Sequence, residues 1–573
     1  MKKILTLVVC LLITVVLVAC TSDPYDANNF LPNGTEENPY QIVREKTTID
    51  IFVPRGSKNP PFATMKMFKK LAELTNLEFK FTEVDVSAYT QVRSAAWEDK
   101  NNLPDLFLFN NSVAEQVIYS QYDTLVSFND DELSSGGVAA GNLIENYMPI
   151  YKDLLENNFY IDTDENAIRT ARFEDGMMYS TLSVNNVPRD LTFKMFINQK
   201  WIENLREDYP ALYGHLPDAE DIQTIEQYLE ILQAFKNGDP NRNGRTDDEI
   251  PVTAKEMQYL KQFILASYGY TFPGVELNAA KTEAVYVPAT DAYKQYLKTA
   301  TTMYGGGQGV LDPQVFSIKT DAQMAVKGYS GRLGSFPAAA AYLIVGYEGR
   351  AEGSVETFKE SDYVLFGPLT SQYYQGEPLQ WGFSIFQPNG AVIPKGTPRV
   401  REVARLLDIM YSEIGQQLIA YGEEGVDFTW DDDAKTSWTF HVPDGFSGTQ
   451  EDYRATLTPN VDTASALYWN YDFVGKMNDP IITKLNQMSD RYAPYLKETF
   501  PAAVKMTASE YSTIELISAS IDVYLQSSDY DFITGVRNID GYWQTYLQRL
   551  SDYRYQDLLN AYNNAYQRYL DQD

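Results

Sequence analysis

Apolar and polar positions in the first part of the chain switch between a period of two and a period near 3.6. Thr48 to Val53 (TIDIFV) predicts an opening strand, and Phe62 to Thr75 carries the amphipathic period of a helix. Leu77 to Val84 (LEFKFTEV) alternates as a second strand does. Tyr89 to Glu98 predicts a helix, and Leu103-Pro104-Asp105-Leu106-Phe107-Leu108-Phe109 a turn feeding a buried strand. This βαβαβ order predicts a parallel sheet with covering helices. Further on, Arg189 to Asn198 predicts a strand, and Gln199 to Leu205 and Ile222 to Phe235 predict helices. Val400 to Ile419 reads as one long helix opening just after Pro398, and the chain from Ser509 onward reads as nearly all helix. No internal repeat is present.

A different pattern stands at the start. Lys2 and Lys3 precede an apolar run from Ile4 to Val18, short of the ~20 residues that a membrane span needs and flanked as a secretory signal is. It ends in Leu17-Val18-Ala19-Cys20, which looks like a bacterial lipobox. On that reading residues 1–19 are removed, and Cys20 carries a lipid anchor with fatty chains such as palmitate, holding the chain at the membrane surface. The alternatives are an ordinary signal peptide or an uncleaved anchor helix. Residues 20–45, rich in Asn, Asp, Pro and Gly, read as a flexible tether.

Composition narrows the class. With 573 residues, 44% of them hydrophobic, the chain is long enough for two lobes. Its two cysteines, Cys10 and Cys20, fall in the signal and at the lipid site, so no disulfide is expected within one mature chain. A formal charge of −31 argues against nucleic acid as a partner. The two histidines, His215 and His441, sit in no metal or nucleophile motif. Aromatic residues make up 13% of the chain. Their flat apolar faces suit stacking on sugar rings, although most must be core.

The stretch Asp239-Pro240-Asn241-Arg242-Asn243-Gly244-Arg245-Thr246-Asp247-Asp248-Glu249 carries the clearest candidate chemistry. Asp239, Asn241, Asn243 and Asp247 place oxygens at alternating positions, Gly244 allows a sharp turn, and Arg245 can offer its backbone carbonyl. Ca²⁺ takes six to eight such oxygens at roughly 2.3–2.6 Å. The twelfth position of the helix-flanked calcium hand, usually a bidentate Glu, is Ile250 here, while Asp248 and Glu249 arrive early. The plain alternative is a polar surface turn.

Seven landmarks in order resemble the extracellular solute-binding proteins, family 1, of the large lipoprotein type that serves oligosaccharide ABC importers in Gram-positive bacteria. They are Leu103-Pro104-Asp105-Leu106, Asp175-Gly176-Met177-Met178-Tyr179, Ile197-Asn198-Gln199-Lys200-Trp201-Ile202, Leu232-Gln233-Ala234-Phe235-Lys236 entering the acidic loop, Asp312-Pro313, Asp408 to Gly415, and Tyr421 to Phe428. The resemblance implies an α/β, two-lobed periplasmic-binding-protein-like fold of type II, each lobe a mixed or parallel sheet with covering helices, and a helical C-terminus. The expected division is 46–180 mainly N-terminal lobe, 181–320 mainly second lobe with the calcium loop, 321–390 a crossover returning partly to the first lobe, and 391–573 mainly second lobe. The implied function is capture of oligosaccharides by a monomer on the extracytoplasmic face of the membrane, for delivery to a permease, without catalysis. A structural calcium site would use Asp239, Asn241, Asn243, the Arg245 carbonyl and Asp247, completed by Asp248 or Glu249.

Sugar clefts need aromatic platforms with hydrogen-bonding neighbours. Trp381, Trp430 and Trp469 are the candidates, together with Asn110 and Asn111 at the carboxyl end of a predicted parallel strand, where open α/β sheets place ligands. Arg189 and Arg332 are candidates for meeting an acidic sugar. The rival readings are a binder that presents sugar to a membrane sensor, and a surface glycoside hydrolase. The second needs two carboxylates facing one sugar, which adjacent Glu423 and Glu424 do not provide.

Overall fold

The computed structural model describes residues 25–157, 166–346, 358–461 and 465–571. The signal run and Cys20 lie outside the described residues. Thr47–Arg55, Leu77–Asp85 and Leu106–Leu108 form the expected parallel strands, joined through helices Lys66–Thr75 and Tyr89–Glu98. Thr47–Arg55 lies between the other two, and Ala391–Val392 closes the far side antiparallel to Leu106–Leu108. Leu77–Asp85, the edge strand, shows the alternation of one packed and one wetter face.

A second sheet is built around the wholly buried strand Lys194–Asn198. Tyr363–Leu365 and Leu333–Ala338 flank it antiparallel, and Ile250–Val252 runs parallel to the latter. Each sheet has its own hydrophobic core. The first core gathers side chains from Phe30 to Val187 and again from Phe386 to Met477. The second gathers Met195 to Leu369 and Leu485 to Leu558. The chain therefore passes between lobes in the intervals 188–194, 370–385 and 478–484. A small sheet lies against the crossings, with Ser183–Asn185 pairing Phe386–Gln387 antiparallel and Tyr468–Trp469 parallel.

Four expectations are corrected. Residues 391–477 pack in the first core, not with the second lobe, because the helix Val400–Tyr411 buries its apolar face against the first sheet's layer. The described part of the tether, from Tyr25 on, is folded: Ile42 and Val43 are fully buried, Phe30 bridges Val43, and Arg401 lies over the Phe30 ring. A few apolar anchors in a Pro- and Asn-rich stretch were enough. The strand expected from Arg189 begins only at Lys194, since Pro188–Asp190 forms a 3-10 turn. The long helix Val400 to Ile419 is two, Val400–Tyr411 and Glu413–Ala420. Ser412 is extended and caps the second by accepting from the Gly415 amide at 3.3 Å. A side chain at Gly415 would come within 2.4 Å of the Ile409 and Met410 carbonyls, so only glycine allows that break.

Candidate functional site

The carboxyl ends of the first sheet's parallel strands point at the lobe junction. After Thr47–Arg55 the chain reaches Asn59, whose amide donates to the carbonyls of Ala455 and Thr458 at 3.1 Å each. This pins the helix Gln450–Leu457 and with it Arg454. That guanidinium is held by Glu451 at 2.9–3.1 Å and lies over the rings of Tyr421 and Trp469. Trp469 and Tyr421 are near-parallel, with centroids 6.3 Å apart.

The first crossing supplies the polar partners. Trp469 donates its indole N–H to Oδ2 of Asp190 at 2.7 Å, and Nε of Arg189 lies 3.4 Å from Oδ1 of the same carboxylate. Arg189 is 6% exposed, and its Nη1 is buried with no hydrogen-bond partner in the protein. A buried donor left unmade costs free energy, which marks a place where a ligand can complete the structure. Tyr342, which follows the second-lobe strand Leu333–Ala338, lies close enough to influence both Arg189 and Arg454 electrostatically.

The second lobe brings further aromatic faces. Phe193 stacks on Tyr259 with centroids 3.5 Å apart, Tyr259 lies 6.1 Å from Trp381, and Trp381 meets Phe383 edge-on at 4.4 Å. Tyr259 sits at a left-handed φ of 62°, an uncommon conformation for a bulky residue, and burial pushes its phenol up to about 12. Beneath this surface the buried Lys194 ammonium donates to the carbonyls of Arg189, Thr192 and Ala339.

Trp381 and Trp469 thus stand at the junction. Trp430 lies elsewhere, its ring against Phe428 and Phe473 with Lys435 above it. Asn110, at φ 52°, uses its carbonyl to hold Arg93 at 2.5 Å. Asn111 spends its amide N–H groups on the carbonyls of Phe107 and Gly390, so the structure uses it to join two strands. Asp190, Tyr259, Phe193, Tyr421 and Arg454 carried no local signal as site residues; they meet only through the crossings.

The acidic loop links helix Ile225–Asn237 to strand Ile250–Val252. Gly244, at φ 82°, takes the sharp turn, and its amide donates to Asp239 at 2.8 Å. The Asn243 amide donates to Asp239 at 3.0 Å and to Asn241 at 3.1 Å, and Arg245 N–H donates to Asn243 Oδ1 at 2.8 Å. Arg245 turns its side chain out to the exposed Asp247 at 3.1 Å. Arg332 is pinned to Asp248, 2.7 Å from its carbonyl, and so serves the loop. Glu249 is 6% exposed and both its carboxyl oxygens are buried without a partner. Burial, with the charges of Asp248 and Asp239, pushes it up to about 7. Among the described residues no group of three or more His, Cys, Asp or Glu side chains gathers as a metal centre. What converges here is a mixed set of amide, carboxylate and carbonyl oxygens, the donor chemistry of a hard cation.

No family model matches the chain. It is 24% identical over 446 residues, 75% of each chain, to the fructooligosaccharide ABC transporter substrate-binding protein FusA of Streptococcus pneumoniae. The structure of FusA with kestose superposes with a TM-score of 0.69, at 19% identity over 92% of this chain and 100% of that one. This is the fold of an extracellular solute-binding protein. The resemblance to family 1 read from the seven landmarks holds with it. A human-milk-oligosaccharide-binding solute-binding protein of Bifidobacterium longum infantis superposes at 0.70, with 17% identity over 91% of this chain and 99% of that one. The alginate-binding protein AlgQ2 superposes at 0.64, with 17% identity over 92% and 100%. One of the superposing FusA structures is of an EF-hand mutant. The solute-binding fold accounts for the crossings between the two cores.

Proposed function

We propose that this protein captures oligosaccharides between its lobes on the extracytoplasmic face of the membrane and delivers them to the permease of an ABC importer. The observation that carries the reading is an unsatisfied, buried Arg189 donor in the first crossing, next to the Asp190 carboxylate that holds Trp469. Lobe closure is driven by contacts made only when a ligand bridges both sides. The chain binds without breaking bonds. A lipid on Cys20 raises its effective concentration at the permease, and the protein acts as a monomer. Among the described residues no helix is long and apolar enough to cross a membrane.

The acidic loop holds a structural calcium ion in this reading. Of the expected ligands, Asp239, Asn241, Asn243, the Arg245 carbonyl and Asp248 are kept; Asp247 is left out because it turns out to the Arg245 side chain, and Glu249 supplies the last oxygens because its carboxylate is otherwise uncompensated. The ion stabilises the second lobe and touches no sugar.

Thermal melting with calcium present, against a panel of oligosaccharides, tests the function. A stabilising sugar recovered intact supports it; released product overturns it in favour of a hydrolase, and a panel without any stabilising member overturns it altogether. Cys20→Ala tests the anchor, with transfer from membrane to soluble fractions expected.

A further inference from the structure

The charge arrangement at the junction narrows the ligand. Each cation there already has its counterpart. Arg454 is held bidentately by Glu451 and also reaches the Ala420 carbonyl at 3.3 Å. Lys194 is wholly buried under three carbonyls. Lys255, in the loop leading to Tyr259, pairs with Asp321 at 3.3 Å. Arg189 has one unspent donor, but its charge is offset by Asp190, whose Nε–Oδ1 separation is 3.4 Å.

We propose, resting on the oligosaccharide reading above, that the cleft is selective for neutral sugars, with Arg189 and Asp190 gripping the hydroxyls of one sugar ring beside Trp469. A hydroxyl both donates and accepts. Nη1 of Arg189 offers the donor and Asp190, which receives only the Trp469 indole at 2.7 Å and the Arg189 contact, has acceptor capacity left. Adjacent hydroxyls of one ring satisfy both. A uronate carboxylate only accepts. It would gain the Arg189 bond but would have to sit next to the Asp190 carboxylate, which is a third exposed in the free protein, and there like charges repel. Among the described residues no unpartnered cation stands beside Asp190 to offset that, and the chain's formal charge of −31 adds to the repulsion. Trp469 and Tyr421 lie behind the pair with Arg454 over both rings, so the selectivity rests on Arg189 and Asp190.

The test is calorimetric binding of the full, calcium-loaded chain in detergent to neutral tri- and tetrasaccharides (1-kestose, maltotriose, lacto-N-tetraose) and to tri- and tetra-uronates from alginate and polygalacturonate. The expected result is at least one neutral ligand, with every uronate a hundredfold or more weaker. Asp190→Asn keeps an acceptor for the Trp469 indole and removes the charge. It should weaken the neutral sugar about tenfold and strengthen a uronate at least tenfold, a narrowing of selectivity by about a hundredfold that mere loss of folding cannot produce. A uronate bound by the wild type as tightly as the best neutral sugar overturns the proposal while leaving oligosaccharide capture intact. Unchanged selectivity in Asp190→Asn also overturns it. Binding of neither class overturns the functional reading itself.

Discussion

Lys505 donates from Nζ to the carbonyl oxygen of Thr170 at 2.7 Å, and so ties the second lobe to the first. One residue earlier, the Arg169 guanidinium lies 3.5 Å from the centroid of the Tyr569 ring and donates to the Tyr569 carbonyl. Both contacts border an interlobe cavity of about 1390 Å³ that is lined by neither Trp469 nor Trp381. They hold the lobes in the arrangement in which Arg189 and Arg454 are covered. Lys505→Met with Arg169→Ala should therefore loosen that arrangement and weaken sugar binding about fivefold or more. Small-angle scattering of the ligand-free double variant should show a larger radius of gyration. Identical affinity and radius would mean that the two contacts do not govern closure.

On the calcium reading proposed above, the ion binds only the folded loop and stabilises by mass action, about 2.7 kcal/mol at a hundredfold excess over Kd. Chelation should lower the Tm of the wild type by roughly 5 °C. Glu249→Gln and Asp239→Ala should each start lower and respond less to chelator. A wild-type Tm indifferent to chelator in metal-stripped buffer removes calcium from the protein.

Burial lowers Lys194 to about 8 from its ordinary value near 10.5. Above the folded value the unfolded state binds more protons, so stability rises with pH. The cost of burying the charge is complete below pH 8 and is relieved between pH 8 and about 10.5. Lys194→Met should be less stable, because three carbonyls lose their donor, and should lack this rise. Urea unfolding from pH 7.5 to 10.5 reads the difference between the two curves. Parallel curves would show that Lys194 does not titrate there.

Asp427, fully buried, accepts from Lys66 and Tyr453 at 2.8 Å and from the Glu423 amide at 2.9 Å. Asp427→Ala leaves those donors unpaired and should cost about 3 kcal/mol. Gly422, at φ 93°, has its α-carbon face against the same carboxylate, where a side chain would come within 2.4 Å. Gly422→Ala should destabilise in the same urea titration. A change of less than about 0.5 kcal/mol in either variant would contradict this account of the Tyr421 to Phe428 landmark.

Local pattern carried far in this chain. The opening strands and helices follow from apolar period alone, because each element must bury one face. The acidic loop was legible too, since its donors alternate within eleven consecutive positions of Asp239 to Glu249. Which acid completes it was not. The proposal of Glu249 rests on its burial without a partner, a property of how strand Ile250–Val252 enters the second sheet. Trp381 is marked by its small and polar neighbours, Trp469 by an irregular stretch, and Trp430 by its place after the Glu-Gly-Val landmark. Trp430 packs on Phe473, because the local setting of a tryptophan does not say which side faces a cleft.

The sequence by itself determined the α/β class, the type of fold through ordered landmarks, and the loop chemistry, all of which depend on residues near one another along the chain. It took the folded chain to show that 391–477 packs in the first core, that the stretch from Tyr25 is folded, and that Arg189, Asp190, Arg454 and Trp469 meet. Those outcomes depend on where three crossings bring distant segments together. Contact between residues hundreds of positions apart is set by packing two cores at once, and no local period encodes it.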